Sequence, residues 1–482
     1  MRLGPSLQNV SRVLLMLLML VKGIEAAAAG ASYPAPMGGD AMRARGIALS
    51  INGDPAFVYD LMPRGVTYGG IPTVSSAFAS FELPESGAKV TIAYPGIPVH
   101  AIRVRRLGVS VPVQFVENKV TFRIDKPGAY EVVVNYDLYQ RGPVIIFANA
   151  PENLAPRPGD IVFRPGVITD AGIIQVRKPR QRIFIPGGAI VRGIIKVQGT
   201  DGVTISGHGI LLFDDAIAKS PELRNDSDTN PILVTDARHL TLEGVTIVVG
   251  LTSFSGASGG GPEAPWAIHI LRSSDVRISD VNILNNLRDG LDIDGSERVS
   301  VKGGLIQTHD DGLCIKSANY GPGGGSLNRT VTDVVFDGLM IANTGAGSAL
   351  AIGTELHAAE ISHITFRDID VLHAIGRHSA AISIRNGDRA WVHDILYDNV
   401  RVLDLSGKLL RLSVETDGYR PDPERGKISG IIFRELKYPD GKGALSSIEG
   451  IDEIHTIREV TFKNSGSDRK PVIQYRNAPA AN

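Results

Sequence analysis

A short pattern of alternating apolar residues, followed in most copies by glycine, aspartate or asparagine, recurs along the chain and constrains its fold more than any other feature. Nine copies, of which the last two are weaker, contain these strand-like segments: 203–205, 240–242, 276–278, 299–301, 334–336, 364–366, 395–397, 431–433 and 460–462. Successive copies start between 23 residues (276 to 299) and 37 residues (203 to 240) apart. Period-two alternation indicates strands, and this repeat length with variable insertions is typical of stacked coils. The sequence predicts an all-β protein containing a right-handed parallel β-helix.

The overall composition limits the partners of the chain. Lys and Arg number 50 against 51 for Asp and Glu, so the charge balance gives no reason to expect binding to nucleic acid or to an anionic membrane. The 54 glycines and 28 prolines favour many short strands joined by tight turns. The only cysteine is Cys314, so an internal disulfide is excluded and stability has to come from the core.

Residues 1–31 have the features of a signal peptide. Arg2 and Arg12 give a basic start, residues 13–21 are apolar, and the alanines at 26–29 suit cleavage. The nine apolar residues of 13–21, at about 1.5 Å per residue, are too few to cross roughly 30 Å of hydrocarbon. We expect a secreted protein, extracellular or periplasmic, with no membrane contact after cleavage; an uncleaved anchor is the alternative.

Residues 32–150 do not follow the coil period and are predicted to form a β-sandwich-like domain. Four segments alternate like strands between turns of Pro, Gly and Asn: 89–94, 101–105, 120–124 and 130–134. The proline-rich residues 149–158 indicate a boundary near 150, after which 151–482 would form the parallel β-helix catalytic domain. We expect the sandwich to cap the open end of the helix, in preference to binding carbohydrate, and the protein to be a monomer.

Two segments of the chain are near copies of each other: Asp289-Gly290-Leu291-Asp292-Ile293 and Asp311-Gly312-Leu313-Cys314-Ile315. They start 22 residues apart (289 to 311), which fits one turn of the predicted helix. The first aspartates of both copies, with Asp310 beside them, should then lie together on one outer wall. Related segments align His269, Ala351 and Ser383 with Asp292 and Cys314, and this column should point outward or into a turn.

Clustered carboxylates have a specific chemical use. On coils about 4.8 Å apart they raise the pKa of one group and leave another low, so one can donate a proton while another draws a proton from water. Inverting glycoside hydrolysis needs such a pair about 6.5–9.5 Å apart, whereas a retaining reaction needs about 5.5 Å. Like charges in register would be destabilising without a purpose, and a calcium site is the other explanation.

These segments resemble motifs of the polygalacturonases, glycoside hydrolase family 28. Residues 288–293 are similar to the family's Asn-Thr-Asp-Gly-aromatic-Asp-Ile, 309–317 to its Asp-Asp-Cys segment followed by Lys/Asn-Ser, and 205–211 to its early coil signature. The resemblance covers about 155–465. It implies that Asp310 is the general acid, that Asp289 and Asp311 position and deprotonate the attacking water, and that the reaction inverts the anomeric centre.

The chain departs from that family at two substrate-binding positions. Ser348 stands where the family has the histidine of Gly-His-Gly, and Ser383-Ile384-Arg385 aligns with its Arg-Ile-Lys, so one of two cations that bind the galacturonate carboxylate is missing. The related dextranase family, a β-sandwich followed by a β-helix with three aspartates, is therefore the second candidate. The basic residues Arg288, Lys316 and Arg385 favour an acidic, pectin-type polymer, as would Arg377 and His378.

The sequence motifs and the resemblance together predict the residues of the site. The expected catalytic residues are Asp289, Asp310 and Asp311, and no metal or cofactor is expected. The expected substrate-binding residues are Arg385, Lys316, Ser348, Ser383, Asp292, Trp266 and His309. Trp266 and Tyr320 could stack on sugar rings, and the glycine-rich loops 253–265 and 320–325 are interpreted as cleft walls.

Three functional classes fit the sequence. A glycoside hydrolase acting on an α-linked polysaccharide, pectin-type or a neutral α-glucan, predicts new reducing ends without a metal requirement. A calcium-dependent polysaccharide lyase on the same fold predicts unsaturated products and inhibition by chelators. A non-catalytic cell-surface adhesin predicts sugar binding without turnover. The paired aspartates favour the hydrolase.

Overall fold

The computed structural model describes residues 32–478, apart from several internal segments. The exceptions are 69, 153–154, 224–228, 253–264, 286, 319–321, 376–379, 417–421, 440–444 and 466–471. The signal-peptide prediction, the predicted roles of Tyr320, Arg377 and His378, and most of the loop 253–265 therefore lie outside the described residues. No helix in the described part of the chain has the length and hydropathy to cross a bilayer.

The first part of the chain forms two five-stranded sheets that enclose a core of their own. The first sheet is antiparallel, in the order Asp54–Ala56, Ala48–Ile51, Ala88–Ala93, Lys119–Ile124 and Val113–Val116. The second has the order Ala77–Glu82, Val144–Asn149, Gly128–Val134, Ile102–Arg106 and Val109–Ser110. A small hairpin joins Thr67–Tyr68 to Ile71–Pro72, and a 3-10 turn covers Asp40–Met42.

The rest of the chain is a parallel β-helix of 27 paired strands, which confirms the predicted fold class. Its coils have three faces, and some long strands turn a corner and contribute to two of them.

The first face contains Ile161–Val162, Arg182–Phe184, Thr204–Ser206, Thr241–Glu243, Ser274–Ser279, Glu297–Lys302, Val331–Asp337, Glu360–Ala374, Trp391–Val402, Lys427–Arg434 and Ile457–Lys463. The second contains Ile168–Val176, Ile190–Gln198, Ile210–Asp214, Thr246–Gly250, Asn282–Asn285, Leu305–Thr308, Met340–Asn343 and the end of Glu360–Ala374. The third contains Ile232–Thr235, Ile268–Leu271, Leu291–Asp294, Leu313–Ser317, Ser348–Leu356, Ala380–Asn386, Lys408–Val414, Ser446–Glu449 and Ile473–Arg476. Two short helical turns, Asp215–Ala218 and Pro322–Gly324, lie between strands.

The nine repeats seen in the sequence are successive rungs of the first face. The last residues of these segments stack in register from Ile205 through Phe336 to Phe462. In the last five rungs this position is aromatic, and neighbouring rings stack with centroids 4.8 to 4.9 Å apart. Stacking of the coils thus closes the continuous Val, Ile and Leu core that a single coil could not bury.

The β-sandwich packs along the flank of the β-helix rather than only over its end. Phe78 and Phe147 of the second sandwich sheet share an apolar cluster with Leu212, Leu284 and Met340, which lie on different coils of the second face. Packing along the flank was not predicted, and the expected capping role stays a prediction. The second face is apolar on both of its sides, inside the helix and outside it, and the outer side needs a cover.

Candidate active site

The three predicted catalytic aspartates lie in the turns between the second and the third face. Asp289 precedes the strand Leu291–Asp294, and Asp310 and Asp311 precede Leu313–Ser317, which pairs with it in parallel. The main chains approach closely here, because the amide of Gly290 donates to the carbonyl of Asp311 at 2.8 Å. A Cβ atom on Gly290 would lie 2.6 Å from the carbonyl oxygen of Gly312, so the repeated Asp-Gly has a steric reason.

The carboxylates of Asp289, Asp310 and Asp311 converge on one site. One oxygen from each lies within 4.8 Å of those of the other two. Asp289 is buried, whereas the other two are partly exposed. Gly347 makes room for them, since a Cβ atom there would lie 2.4 Å from a carboxylate oxygen of Asp310. The oxygens are closer than the about 6.5–9.5 Å typical of an inverting pair.

A buried ammonium group, on the coil that carries Asp310 and Asp311, lies against this cluster. Nζ of Lys316 donates to Oδ2 of Asp289 at 2.7 Å and lies 2.8 Å from Oδ1 of Asp292. All three side chains are almost completely buried. Lys316, Asp292 and Asp289 were predicted separately as site residues, and the structure brings them together as one ion-paired group.

Burial and like charge perturb the acid groups of the site. Burial, with the charges of Asp289 and Asp310, raises the pKa of Asp311 well above its usual value, although Lys316 opposes the rise. Burial also raises the pKa of Asp292, again against the effect of Lys316. The pKa of Lys316 is itself raised, because the two carboxylates outweigh the effect of burial. Asp311 and Asp292 therefore retain their protons to higher pH than free aspartates would.

The column that contains Asp292 is in register as predicted, yet it is covered rather than open. His269, Asp292, Cys314, Ala351 and Ser383 occupy equivalent positions on five successive strands of the third face. They lie outside the apolar core, but each is nearly inaccessible to solvent. Asp292 and Ser383 are thus below the surface that a substrate would touch.

Trp266 packs against the cations of the site. The centroid of its ring lies 4.0 Å from Nζ of Lys316 and 5.6 Å from the guanidinium carbon of Arg288, and the ring meets His269 edge-on at 4.8 Å. Its side chain is buried, and only about 9% of the residue is exposed. These contacts place Trp266 as a cover over Lys316, with little ring area left for a sugar.

Arg385 lies at the other end of the predicted substrate site, and part of its guanidinium group is bound to a carboxylate of the protein. Its Nε and one terminal nitrogen donate to the two carboxylate oxygens of Glu415 at 3.1 and 2.8 Å, a bidentate pair. Arg411 donates to the same carboxylate at 2.8 Å. The side chain of Arg385 remains 33% exposed. Glu415 was not predicted as a site residue. Only its position in the sequence could have indicated the contact, because it lies two residues beyond Ser413, which pairs in register with Arg385.

Ser348 and His309 support the turn that carries the acidic pair. The amide of Ser348 donates to Oδ1 of Asp311 at 2.6 Å. His309 is fully buried, and its ring lies against Gly345, where a Cβ atom would be 2.1 Å from it. Cys314 lies 3.7 Å from Oδ2 of Asp311 through its sulfur, and burial raises the pKa of the thiol. Ser348 therefore holds the carboxylate of Asp311 in place, and His309 fills the space beneath Gly345.

The three carboxylates have the spacing to hold a cation, and they are the only such group in the described part of the chain. Calcium takes 6–8 oxygen ligands, and an ammonium group already lies against Asp289. A divalent ion would be repelled by that charge. The site is better suited to proton transfer than to metal binding.

Comparison with known proteins gives similarity in structure only. No protein-family model matches the sequence, and no curated protein does. Among solved structures, the chain is similar to an exopolygalacturonase from Thermotoga maritima, with 14% identity and a TM-score of 0.45 over 64% of this chain and 79% of that one. It is similar to a polygalacturonase from Erwinia carotovora ssp. carotovora, with 16% identity and a TM-score of 0.47 over 66% and 89%. A GH87 α-1,3-glucanase catalytic domain in complex with nigerose has 11% identity and a TM-score of 0.32 over 82% and 91%.

Proposed function

We propose that this protein is a secreted glycoside hydrolase that cleaves an α-linked polysaccharide with inversion at the anomeric carbon. The observation that carries the proposal is the convergence of Asp289, Asp310 and Asp311, whose carboxylate oxygens lie within 4.8 Å of one another. Carboxyl groups that share a site and differ in protonation are the machinery of glycosidic hydrolysis.

The exposure of Asp310 and the ion pair of Asp289 suit the roles proposed for these two aspartates. Asp310, which is partly exposed, donates a proton to the glycosidic oxygen as its bond to the anomeric carbon breaks. A water molecule forms the new bond from the opposite face of the sugar, and its proton passes to the carboxylates of Asp289 and Asp311. The products are a new reducing end and a new hydroxyl group, so no atom or electron has to come from elsewhere.

Retention is the competing stereochemical outcome, and the short separation of the carboxylates favours it. A retaining nucleophile has to reach the anomeric carbon itself. Asp289 is buried and bonded to Lys316, which suits a base acting on a small water molecule better than a nucleophile acting on a sugar. This contact is our reason for proposing inversion.

A pectin-type polymer is the first substrate class. The resemblance of residues 288–293 and 309–317 to polygalacturonase motifs supports it, together with the partly exposed guanidinium group of Arg385. Arginine suits the carboxylate of a uronic acid because it can form two parallel hydrogen bonds.

A neutral α-glucan is the second substrate class, and the ion pairs of the site favour it. Lys316 is paired with Asp289 and Asp292, and Arg385 with Glu415, so these two cations are already neutralised within the protein. A neutral sugar requires no free cation.

The test is incubation of the purified protein with polygalacturonate, rhamnogalacturonan and dextran, followed by measurement of reducing ends. Turnover of polygalacturonate that is weakened by Arg385→Gln supports the acidic substrate, whereas turnover of dextran alone supports the neutral one. Absence of reducing ends from all three, with the sugar bound, would favour the adhesin.

A further inference from the structure

We infer that Lys316 is a positioning residue of the catalytic site: an internal counter-ion that holds Asp289 against the acidic pair, and not a ligand of the substrate. The inference rests on the proposed hydrolase function, because it assigns a role within that reaction. It replaces the expectation that Lys316 contacts the polysaccharide.

The contacts of the ammonium group leave little of it for a substrate. The ammonium group donates a hydrogen bond to Asp289 at 2.7 Å and forms an ion pair with Asp292 at 2.8 Å. The ring of Trp266 covers a further side, with its centroid 4.0 Å away. The side chain of Lys316 is 6% exposed, so a polymer on the surface would not reach its charge.

The position of Lys316 in the helix explains what it holds. Lys316 pairs in register with Asp294, so it belongs to the coil that follows the coil of Asp289. It lies in the strand Leu313–Ser317, which directly follows the turn that carries Asp310 and Asp311. The ion pair with Asp289 therefore ties the carboxylate of one coil to the coil that carries the other two. This contact sets the distance between the group that activates water and the group that donates the proton.

The charge of Lys316 also has an effect that a neutral side chain could not replace. Asp289 and Asp292 lie against the ammonium group, and its charge also acts on Asp311. The ammonium group lowers the pKa of Asp311 and of Asp292 against the effect of burial. Without it, these carboxyl groups would keep their protons to higher pH and fewer of them could accept a proton from water.

Three variants separate positioning from simple stabilisation. Lys316→Met removes the charge and keeps most of the side-chain volume, but it leaves Asp292 buried without a cation. The double variant Lys316→Met with Asp292→Asn removes that second charge and so limits the loss of folding stability. Lys302→Met is the matched control, because Lys302 is an exposed lysine on the first face.

The measurements are kcat and KM as a function of pH, with thermal unfolding of each variant, on the polysaccharide that the wild-type protein cleaves fastest. We expect both Lys316 variants to lose at least about tenfold in kcat, which is the order of a misplaced catalytic group, with KM changed less than threefold. The acidic limb of the kcat/KM profile should move to higher pH. The double variant should regain thermal stability without regaining kcat, and Lys302→Met should behave as wild type.

Two results would overturn the inference. A raised KM with unchanged kcat in Lys316→Met would show that the ammonium group binds the substrate. A lowered unfolding temperature with unchanged kcat and an unchanged pH profile would show a role in stability alone. Failure of the proposed function is a separate result, because then the wild-type protein itself would release no reducing ends, or would release them together with unsaturated products that absorb in the near ultraviolet.

Discussion

Lys316 and Asp289 come from consecutive coils of the β-helix, and their charged atoms lie 2.7 Å apart in a buried position. This pair joins the coil of the proposed base to the coil of the proposed acid. The ammonium group nearest the aspartates is therefore an internal counter-ion and does not bind the substrate.

Substitution of the proposed general acid should remove activity without unfolding the protein. In Asp310→Asn the side chain keeps its shape but cannot donate a proton to the glycosidic oxygen, so kcat should fall by roughly 10²–10⁴-fold. The variant should melt within about 2 °C of wild type, because Asp310 is partly exposed. Reducing-end assays with thermal unfolding measure both. Retention of more than about a tenth of the wild-type kcat, well above the loss expected for an acid catalyst, would assign the acid to another residue.

Asp311, which is partly exposed but lies beside the charges of Asp289 and Asp310, should lower stability at neutral pH. Because its pKa is raised in the folded state, the folded protein holds this proton more tightly than the unfolded chain does. Its contribution to the free energy of unfolding is therefore most favourable at low pH and declines as pH rises above the ordinary aspartate value of about 3.9.

Asp311→Asn should accordingly unfold at a higher temperature than wild type at pH 7 to 8, while losing activity. The gap should be about 2 °C or more and should shrink as the pH falls toward 4. Thermal unfolding across this range measures it. A variant that is less stable than wild type at every pH would show that the charged carboxylate is needed for folding.

The stacking of the coils and the meeting of the three aspartates could be predicted from the sequence. The ion pairs of the site could not, for a physical reason. The repeats and the Asp-Gly copies report backbone register, because period-two alternation and a coil-length interval leave few ways to stack strands. The contact between Lys316 and Asp289 depends on the direction of a long side chain, which register alone does not give. The pairing of Arg385 with Glu415 has the same cause.

The sequence contains a feature that indicates the position of the sandwich on the flank of the β-helix. Residues 210–213 and 247–249 are apolar at both odd and even positions. A strand with two apolar sides has to be covered on both. The outer residues Leu212 and Val248 are in fact buried under the sandwich.

The contact between the two domains should depend on pH through one histidine. His373 lies in the β-helix and contacts Oε1 of Glu131 in the sandwich at 2.8 Å and Oδ2 of Asp404 at 3.1 Å. Burial lowers the pKa of His373, but the two carboxylates outweigh this effect and raise it. Arg103 and Arg105 also lie nearby, and their charges lower the pKa of Glu131 and of Asp404. The pair therefore stabilises the protein fully below the ordinary histidine pKa of about 6.5, and this stabilisation is lost as pH rises through the raised value.

His373→Gln should cost about 3 kcal/mol or more at pH 6, because it leaves Glu131 buried without its charged partner. The cost should be smaller at pH 9. Denaturant unfolding at the two pH values measures it, with His455→Gln as the control, since His455 pairs with Asp452 at the surface. Equal costs at both pH values would contradict a charged His373.

Chelation should not affect the reaction. The ammonium group of Lys316 already lies against Asp289 and would repel a divalent ion, so activity in excess EDTA should equal activity in added calcium. Absorbance in the near ultraviolet should stay flat, because hydrolysis forms no double bond. Loss of activity in EDTA together with rising absorbance would identify a calcium-dependent lyase instead.

The anomeric configuration of the first product tests the central claim most directly. NMR spectra recorded during the first minutes of hydrolysis distinguish the α from the β reducing end before mutarotation mixes them. The account predicts that cleavage of an α-linked polymer releases the β-anomer first, because Asp289 and Asp311 direct water to the face opposite Asp310. Initial release of the α-anomer would mean a covalent intermediate, and it would contradict the roles assigned to the three aspartates.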